Sequence, residues 1–294
     1  MSGMNRTKSD KKFHLLSRLF ILLLIFVMGF PLVMTVSVSL QTMNEVYSPD
    51  LNLIPGELQF VNYANAMTNG DWGVYFYNSI VVTVITVLIS LIINSMAGFV
   101  FARIPFRGRE ALFMLILIGM MIPAQVTLIP VFLLIRSVPF AGGNNWLGQG
   151  GTGLMNTHAG LILPYIAGSF GVFLCRQYYM GFPKELDDAA EIDGCGRFGQ
   201  FWRVYIPLSG PVLASLSVLK FTGTWNEYTW PLVMTTKQSM RTVQLGLATF
   251  RDEGQVFWNQ LMAATLISGI PIYILFFFTQ KYFVSGLLAG SIKG

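Results

Sequence analysis

Six stretches of this chain stay apolar for about twenty residues, and no other feature limits its fold as strongly. They lie near 19–40, 78–100, 111–134, 159–177, 209–233 and 259–283. A helix rises about 1.5 Å per residue, so roughly 20 apolar residues cross the hydrocarbon core of a bilayer. In lipid every backbone N–H and C=O has to be satisfied within the chain, and a helix does this segment by segment. Only 11% of residues are charged, against about 25% in a soluble domain. The expectation is an all-α polytopic membrane protein with six transmembrane helices. Prolines at 31, 123, 130, 164, 211, 231 and 271 fall in or beside these runs. They are tolerable where neighbouring helices satisfy the freed carbonyls.

Arg6, Lys8, Lys11, Lys12 and Arg18 precede the first run, as in a secretory signal. The run continues to about Leu40 without a small-residue cleavage site, so it reads as an uncleaved first span. Basic residues divide 14 against 4 between alternate connecting segments, with Lys220 left inside a span. The richer set comprises 1–18, 101–110, 177–208 and 281–294, with Arg176 at a boundary. The positive-inside rule places that set, and both termini, in the cytoplasm. The outer segments are long. Residues 41–77 carry the turn signals Ser48-Pro49, Pro55-Gly56 and Asn69-Gly70, and the glycine-rich 142–156 is expected to be mobile. Cys175 and Cys195 lack the spacing of a metal site or disulfide framework and read as reduced thiols at the inner face. His14 and His158 stand alone, as structural or solvent-facing residues rather than ligands.

The inner segment 177–208 is unusual. Five acids, Glu185, Asp187, Asp188, Glu191 and Asp193, occupy nine positions of a chain with only fourteen acidic residues. Pro183 suits the first turn of a helix, and acids there favour the positive end of its dipole. Leu186, Ala189, Ala190 and Asp193 follow i, i+3, i+4, i+7 and are expected to share its contact face. Gly194 and Gly196 stop it. Phe198, Phe201, Trp202 and Tyr205 repeat the spacing, which reads as an aromatic-faced helix lying on the bilayer surface and ended by Pro207. Local physics leaves two readings open: a docking surface for a soluble partner, or an amphipathic connector with none.

Here the chain resembles a family. Asp188-Ala-Ala-Glu-Ile-Asp-Gly194, continuing to Ile206-Pro207-Leu208, resembles the EAA motif of binding-protein-dependent ABC importer permeases. The carbohydrate, MalG-like branch is matched by Asn62-Tyr63, Asn78-Ser79, AGFVFAR (97–103), IPAQVTLIP (122–130), LILP (161–164), WNEYTWPL (225–232) and YFVSGLLAGSIKG (282–294). Departures are Asp188 for Glu, Cys195 for Ala and a longer glycine-rich outer loop.

The resemblance implies a type I importer permease fold. Residues 1–18 are then a cytoplasmic N-terminal segment, 19–284 the six-helix domain with a cytoplasmic coupling loop at 177–208, and 285–294 a cytoplasmic tail. It implies alternating access in a bacterial inner membrane, driven by two separate ATPase subunits that bind ATP and magnesium. It also implies a second permease in a heterodimer, an extracytoplasmic solute-binding protein and a sugar substrate. Glu185, Asp188, Ala189, Ala190, Asp193 and Gly194 are expected to meet the ATPase, and the tail, through Gly286, Gly290 and Lys293, to make a second contact. The chain is expected to carry no catalytic, metal or cofactor site and no nucleic-acid surface. Consistently, none of the eight lysines follows a glycine, as a phosphate-binding loop requires.

Lys220 and Glu227 fall within the fifth apolar run, where charge is costly and is a functional candidate by default. They belong either to a structural polar network or to a watery pathway in which Lys220, Trp225, Asn226, Glu227 and Tyr228 meet the solute. An aromatic beside an amide and a carboxylate suits a sugar; Lys220 suits an anionic solute such as a uronate or glycerol phosphate. An ion-coupled transporter would use paired intramembrane carboxylates and inverted repeats, yet Glu227 is the only clear intramembrane carboxylate. A membrane scaffold leaves the acidic loop and the charged fifth run unexplained.

Overall fold

The computed structural model describes the backbone of residues 8–50, 52–252 and 255–291, and the side chains of 16–50, 52–251 and 255–281. The helices are α1 (Lys8–Ser39), α2 (Met43–Val46), α3 (Val61–Thr68) and α4 (Trp72–Arg103). Then come α5 (Arg109–Met121), α6 (Ala124–Arg136), α7 (His158–Ile162, running into a tight turn to Tyr165) and α8 (Ser169–Met180). Next are α9 (Glu185–Ile192), α10 (Arg197–Gln200), a π-helical turn over Phe201–Tyr205, and α11 (Ile206–Leu208). The chain continues with α12 (Gly210–Trp225), α13 (Thr229–Met234), α14 (Val243–Ala248) and α15 (Trp258–Ser291). Arg251–Asp252 and Gln255–Val256 pair as a short antiparallel hairpin.

Three helices are long and apolar enough to cross a membrane singly: Leu16–Ser39, Trp72–Arg103 and Trp258–Lys281. Three helix pairs pass the same test but are broken, by 106° between α5 and α6, 46° between α7 and α8, and 80° between Arg197–Leu208 and Gly210–Trp225. The described residues thus hold three spans, or up to six if each bent pair counts as one. The run at 111–134 is therefore no straight helix. Pro123 forces the preceding Ile122 out of helical geometry, at φ −83° and ψ 119°. The run at 209–233 is likewise cut, because α12 ends at Trp225 and α13 begins at Thr229.

The chain forms two compact units. In the first, residues 1–70 and 249–269, α1 is apolar on every side. Each residue from Leu19 to Met28 is at least 42% exposed, as a lipid-facing helix requires. Asn62 organises the segment after α1: its Nδ2 donates to the carbonyls of Ser39 (3.0 Å) and Gln41 (2.9 Å), and its Oδ1 accepts from Asn259 Nδ2 at 3.1 Å. Tyr63 and Ser39 join hydroxyls at 2.8 Å. The Asn62-Tyr63 pair is thus a hub that replaces regular backbone pairing.

Glu45 closes a capping box, accepting from the Thr42 and Gly56 amides at 2.8 Å each. These backbone bonds, Thr42's first, hold its carboxyl below the usual carboxylate range. A depressed folded-state value means that its contribution is present above the ordinary carboxylate pKa and is lost as pH falls through the lowered one. The protection of the Thr42 and Gly56 amides, measured relative to their intrinsic exchange rates at each pH, is expected to fall on acidification through that window. Glu45→Gln should make that protection independent of pH over the window, and an equal pH-dependent fall in protection in the variant would refute this account.

The second unit covers 71–248 and 270–294. Its centre is α4 packed lengthwise on α8 and α12. Gly98 permits the closest approach: a Cβ there would lie 2.5 Å from Cys175 Cβ and 2.9 Å from the Arg176 backbone nitrogen. Asn78 Nδ2 donates to the carbonyls of Ser239 and Arg241, both at 2.9 Å, and its Oδ1 meets His158 Nε2 at 2.9 Å. His158 is structural, as the sequence suggests. The glycine-rich 142–156 is bonded both within itself and to the end of α6. Asn144 Nδ2 donates to the Arg136 and Val138 carbonyls, and its Oδ1 accepts from Gly151 N.

Candidate functional site

Acidic residues in the first turn start α9, and Gly194 ends it with φ +73°, a left-handed position that glycine takes without strain. The helix has two faces, and they differ from those expected from spacing. Glu185, Asp188, Ala189 and Ile192 form the exposed stripe, with Ile192 86% exposed. Ala190, expected beside Ala189 on the contact face, is 4% exposed and packs inward. Asp193 and Gly194 are exposed at the helix end.

The acids divide in the same way. Asp187 turns inward: its Oδ1 accepts from Tyr205 Oη at 2.6 Å and its Oδ2 lies 3.4 Å from Arg103 Nη1. Glu191 pairs with Arg197 of α10 at 2.8 Å. Among the described residues, no ion pair or side-chain hydrogen bond involves Glu185, Asp188 or Asp193. These three carboxylates are exposed.

The segment 197–208 is helical, but not with the single aromatic face expected from spacing. The π turn inserts extra rotation at Phe201–Tyr205, so the four aromatics do not share a face. Phe201 and Tyr205 are buried, at 2% and 0%, in a cluster with Phe99, Cys175, Tyr179, Val212 and Leu216. Phe198 and Trp202 are exposed and, with Gly194, Gly196 and Arg203, line a hollow of about 460 Å³ beside α9. The helical turn runs past Pro207 to Leu208 before Ser209 interrupts it. Across the cluster from α9, Arg176 pairs with Glu110 at 3.0 Å and lies 3.9 Å over the Phe113 ring.

Three interruptions meet elsewhere in this unit, those between α5 and α6, α7 and α8, and α12 and α13. Ile122, Gly168 and Glu227, one from each of them, line a cleft of about 750 Å³ together with Gln125, Tyr165 and Trp230. Glu227 Oε1 accepts from Trp230 N at 3.1 Å and so begins α13. The five pathway candidates are dispersed. Glu227 lines the cleft. Lys220 Nζ donates to the Tyr165 carbonyl at 3.2 Å, in the space that Gly168 leaves open. Trp225 is 2% exposed and stacks on Phe221 at 5.6 Å. Asn226 accepts from Gln244 Nε2 at 3.2 Å. Tyr228 is half-exposed after the break. Gly286, Gly290 and Lys293 lie outside the residues whose side chains are described, although α15 carries the backbone to Ser291.

The profile of the family described as binding-protein-dependent transport system inner membrane component matches residues 94–288. The chain belongs to this family. It is the permease component of an ABC importer, a transport subunit rather than an enzyme. This permease is 36% identical over 272 residues to the arabinooligosaccharide transport permease AraQ of Halalkalibacterium halodurans, covering 92% of each chain. It is 31% identical to the sn-glycerol-3-phosphate transport permease UgpE of Agrobacterium fabrum, covering 94% of this chain and 96% of that one. In fold it resembles a chain of a bacterial ABC transporter involved in importing the acidic polysaccharide alginate. There the TM-score is 0.79 at 23% identity, over 96% of this permease and all of that chain. The resemblance drawn from the EAA and carbohydrate-branch motifs is thereby borne out.

Several of those motifs prove to be contact points. Trp230 of WNEYTWPL donates from Nε1 to the Gly160 carbonyl at 3.0 Å, and Leu161 and Ile162 of LILP pack with it and Met234. AGFVFAR supplies both Gly98 and Arg103. Asp187, Tyr205 and Arg103 form a constellation that sequence reasoning missed. The available signal was a lone arginine closing an apolar span beside a loop rich in acids.

Proposed function

We propose that α9 of this permease is the coupling helix of a carbohydrate importer and seats in a cytoplasmic ATPase subunit. The observation that carries this reading is the division of the acids. Asp187 and Glu191 bind the permease itself, whereas Glu185, Asp188 and Asp193 point outward around the small Ala189. Small residues admit a close backbone approach, and Gly194 turns the chain away from the docking face.

In this reading the three bent pairs and three straight helices are six spans of one domain, 19–284. The termini and residues 177–208 are cytoplasmic, as the positive-inside rule indicates. A second permease completes the pathway. Two ATPase subunits hold ATP and magnesium, and an extracytoplasmic binding protein delivers solute to the outer side. Closure of the ATPases moves α9, and the permease passes between inward-open and outward-open states, a two-state element biased by nucleotide.

Broken helices that meet at a cleft are a recurring way to place polar groups within a membrane. We therefore assign the cleft around Glu227 to the solute pathway. Glu227 is the one charged residue in its lining, and the Lys220 ammonium is already engaged with a carbonyl. This favours a neutral sugar or oligosaccharide over a phosphate or uronate, in keeping with the arabinooligosaccharide permease among the relatives.

The test is the ATPase activity of the reconstituted complex with its binding protein, screened over neutral oligosaccharides, oligouronates and glycerol phosphate. Stimulation by a neutral oligosaccharide is expected. Stimulation by an anionic solute alone would refute the neutral-sugar reading and return Lys220 to the pathway.

A further inference from the structure

A short helix transmits force only if it is fixed to what it moves. Eight residues of α9 cannot hold their own orientation, because isolated helices of this length are marginal in water. Something in the permease has to hold α9 while the ATPase pulls on it. Resting on the coupling reading above, we propose that Arg103, Asp187 and Tyr205 clamp α9 to the cytoplasmic end of α4, with Asp187 as the positioning residue of energy coupling.

The geometry joins three segments at one point. Arg103 is the last residue of α4. Its Nη1 lies 3.4 Å from Asp187 Oδ2, with side-chain exposures of only 9% and 17%. Its Nη2 donates to the carbonyl of Phe182, in the turn that enters α9. Its guanidinium lies 5.5 Å over the ring of Tyr205, in the π turn that leaves the loop. Tyr205 in turn donates to Asp187 Oδ1 at 2.6 Å and stacks on Phe182 at 5.4 Å. The phenol ring is fully buried against Phe99 of α4, with centroids 4.7 Å apart. Both oxygens of Asp187 are therefore engaged, one by a cation and one by a hydroxyl. Hydrogen bonds to a charged group are stronger and more directional than neutral ones. The entry to α9, its first turn and the segment after it are thus tied to a single arginine at the end of a membrane-spanning helix.

The division of labour among the acids follows. Asp187 faces the membrane body and sets the angle of α9, while Glu185, Asp188 and Asp193 face away and meet the ATPase. Removing an outward acid should weaken docking. Removing Asp187 should leave docking possible but uncouple it from α4.

Spin labels at Arg107→Cys, in the turn that follows α4, and Ile192→Cys, in a Cys195→Ser background, report the distance between that turn and α9. They are read in the complex with its ATPase subunits, without nucleotide and with ATP plus vanadate. The parent chain and Asp187→Glu are expected to show one narrow distance that is the same in both states. Asp187→Asn and Tyr205→Phe are expected to show a broadened distance that moves when nucleotide is added. Tyr205→Phe keeps the packing, so its result stands even if Asp187→Asn fails to assemble. A narrow, nucleotide-independent distance in Tyr205→Phe or Asp187→Asn would overturn the clamp. Failure of the docking reading shows separately, as a parent-chain Ile192 label whose mobility is unchanged when ATPase subunits are added, and it would take the coupling role of Asp187 with it.

Discussion

Gly98→Val is expected to prevent accumulation of folded permease. The new branched side chain has to enter a space where a single Cβ already meets Cys175 Cβ at 2.5 Å and the Arg176 backbone nitrogen at 2.9 Å. Two of the three nearest atoms belong to the α8 backbone, which cannot rotate aside as a long side chain can. Overpacking a well-packed site costs about 1–3 kcal/mol and more when backbone must shift. Domain stabilities are only about 5–15 kcal/mol. Small residues drive helix association in lipid by letting backbones approach, and Gly98 serves this role at the central α4–α8 contact. The displacement would also spread to Arg176, which binds Glu110 and the Phe101 carbonyl, and to the cluster around Phe99. Gly223 is the control. A Cβ there meets nothing within 4 Å, so Gly223→Ala should be tolerated. Thermal unfolding of the two variants in detergent decides the matter, and comparable midpoints for both would refute this account of the α4–α8 contact.

The second large effect is functional. Asp188→Lys combined with Asp193→Lys is expected to abolish ATPase-subunit binding while the permease stays folded. Neither carboxylate has an ion-pair or side-chain hydrogen-bond partner among the described residues, so the fold loses no contact. Both lie on the exposed side of α9, and lysine would put like charge against a partner surface that complements acid. Losing a desolvated charge pair at an interface costs about 2–5 kcal/mol, on the order of 10²–10³-fold in affinity. Co-purification with the ATPase subunits and thermal stability of the isolated permease should be measured together. Retained co-purification would remove α9 from the docking surface; joint loss of binding and stability would show that the acids serve the fold instead.

The two substitutions touch features of different legibility. Gly98 lies in a run recognised by resemblance, but no pattern in AGFVFAR shows that the glycine faces Cys175 rather than lipid. Asp188 and Asp193 stand out as charges in an apolar chain, so the segment proposed to dock is visible at once. Their orientation is less so. Spacing placed Ala189 and Ala190 on one face, but they are about 100° apart on a helix, enough for one to be exposed and the other buried. The aromatic repeat at 198–205 misled for a related reason. Regular i, i+4 geometry puts all four rings on one face, and the π turn there changes which rings point inward. Glu227 was legible as a costly charge in an apolar run, but its bond to the Trp230 amide depends on a break that hydropathy alone does not show.

The sequence by itself determined that this chain lives in a bilayer, where its charges cluster, where helices start and stop around 183–196, and which family it belongs to. These are properties of composition, local spacing and motif, and each is carried by residues close together along the chain. Only the tertiary structure decided which acids bond within the chain and which are exposed, that the α5–α6, α7–α8 and α12–α13 breaks share one cleft, and that Arg103 meets Asp187, Phe182 and Tyr205. Those facts depend on partners as far apart as Arg103 and Phe182, 79 positions along the chain. No local periodicity links such residues; packing of α4, α8 and α12 brings them together, and burial then makes their pairing obligatory.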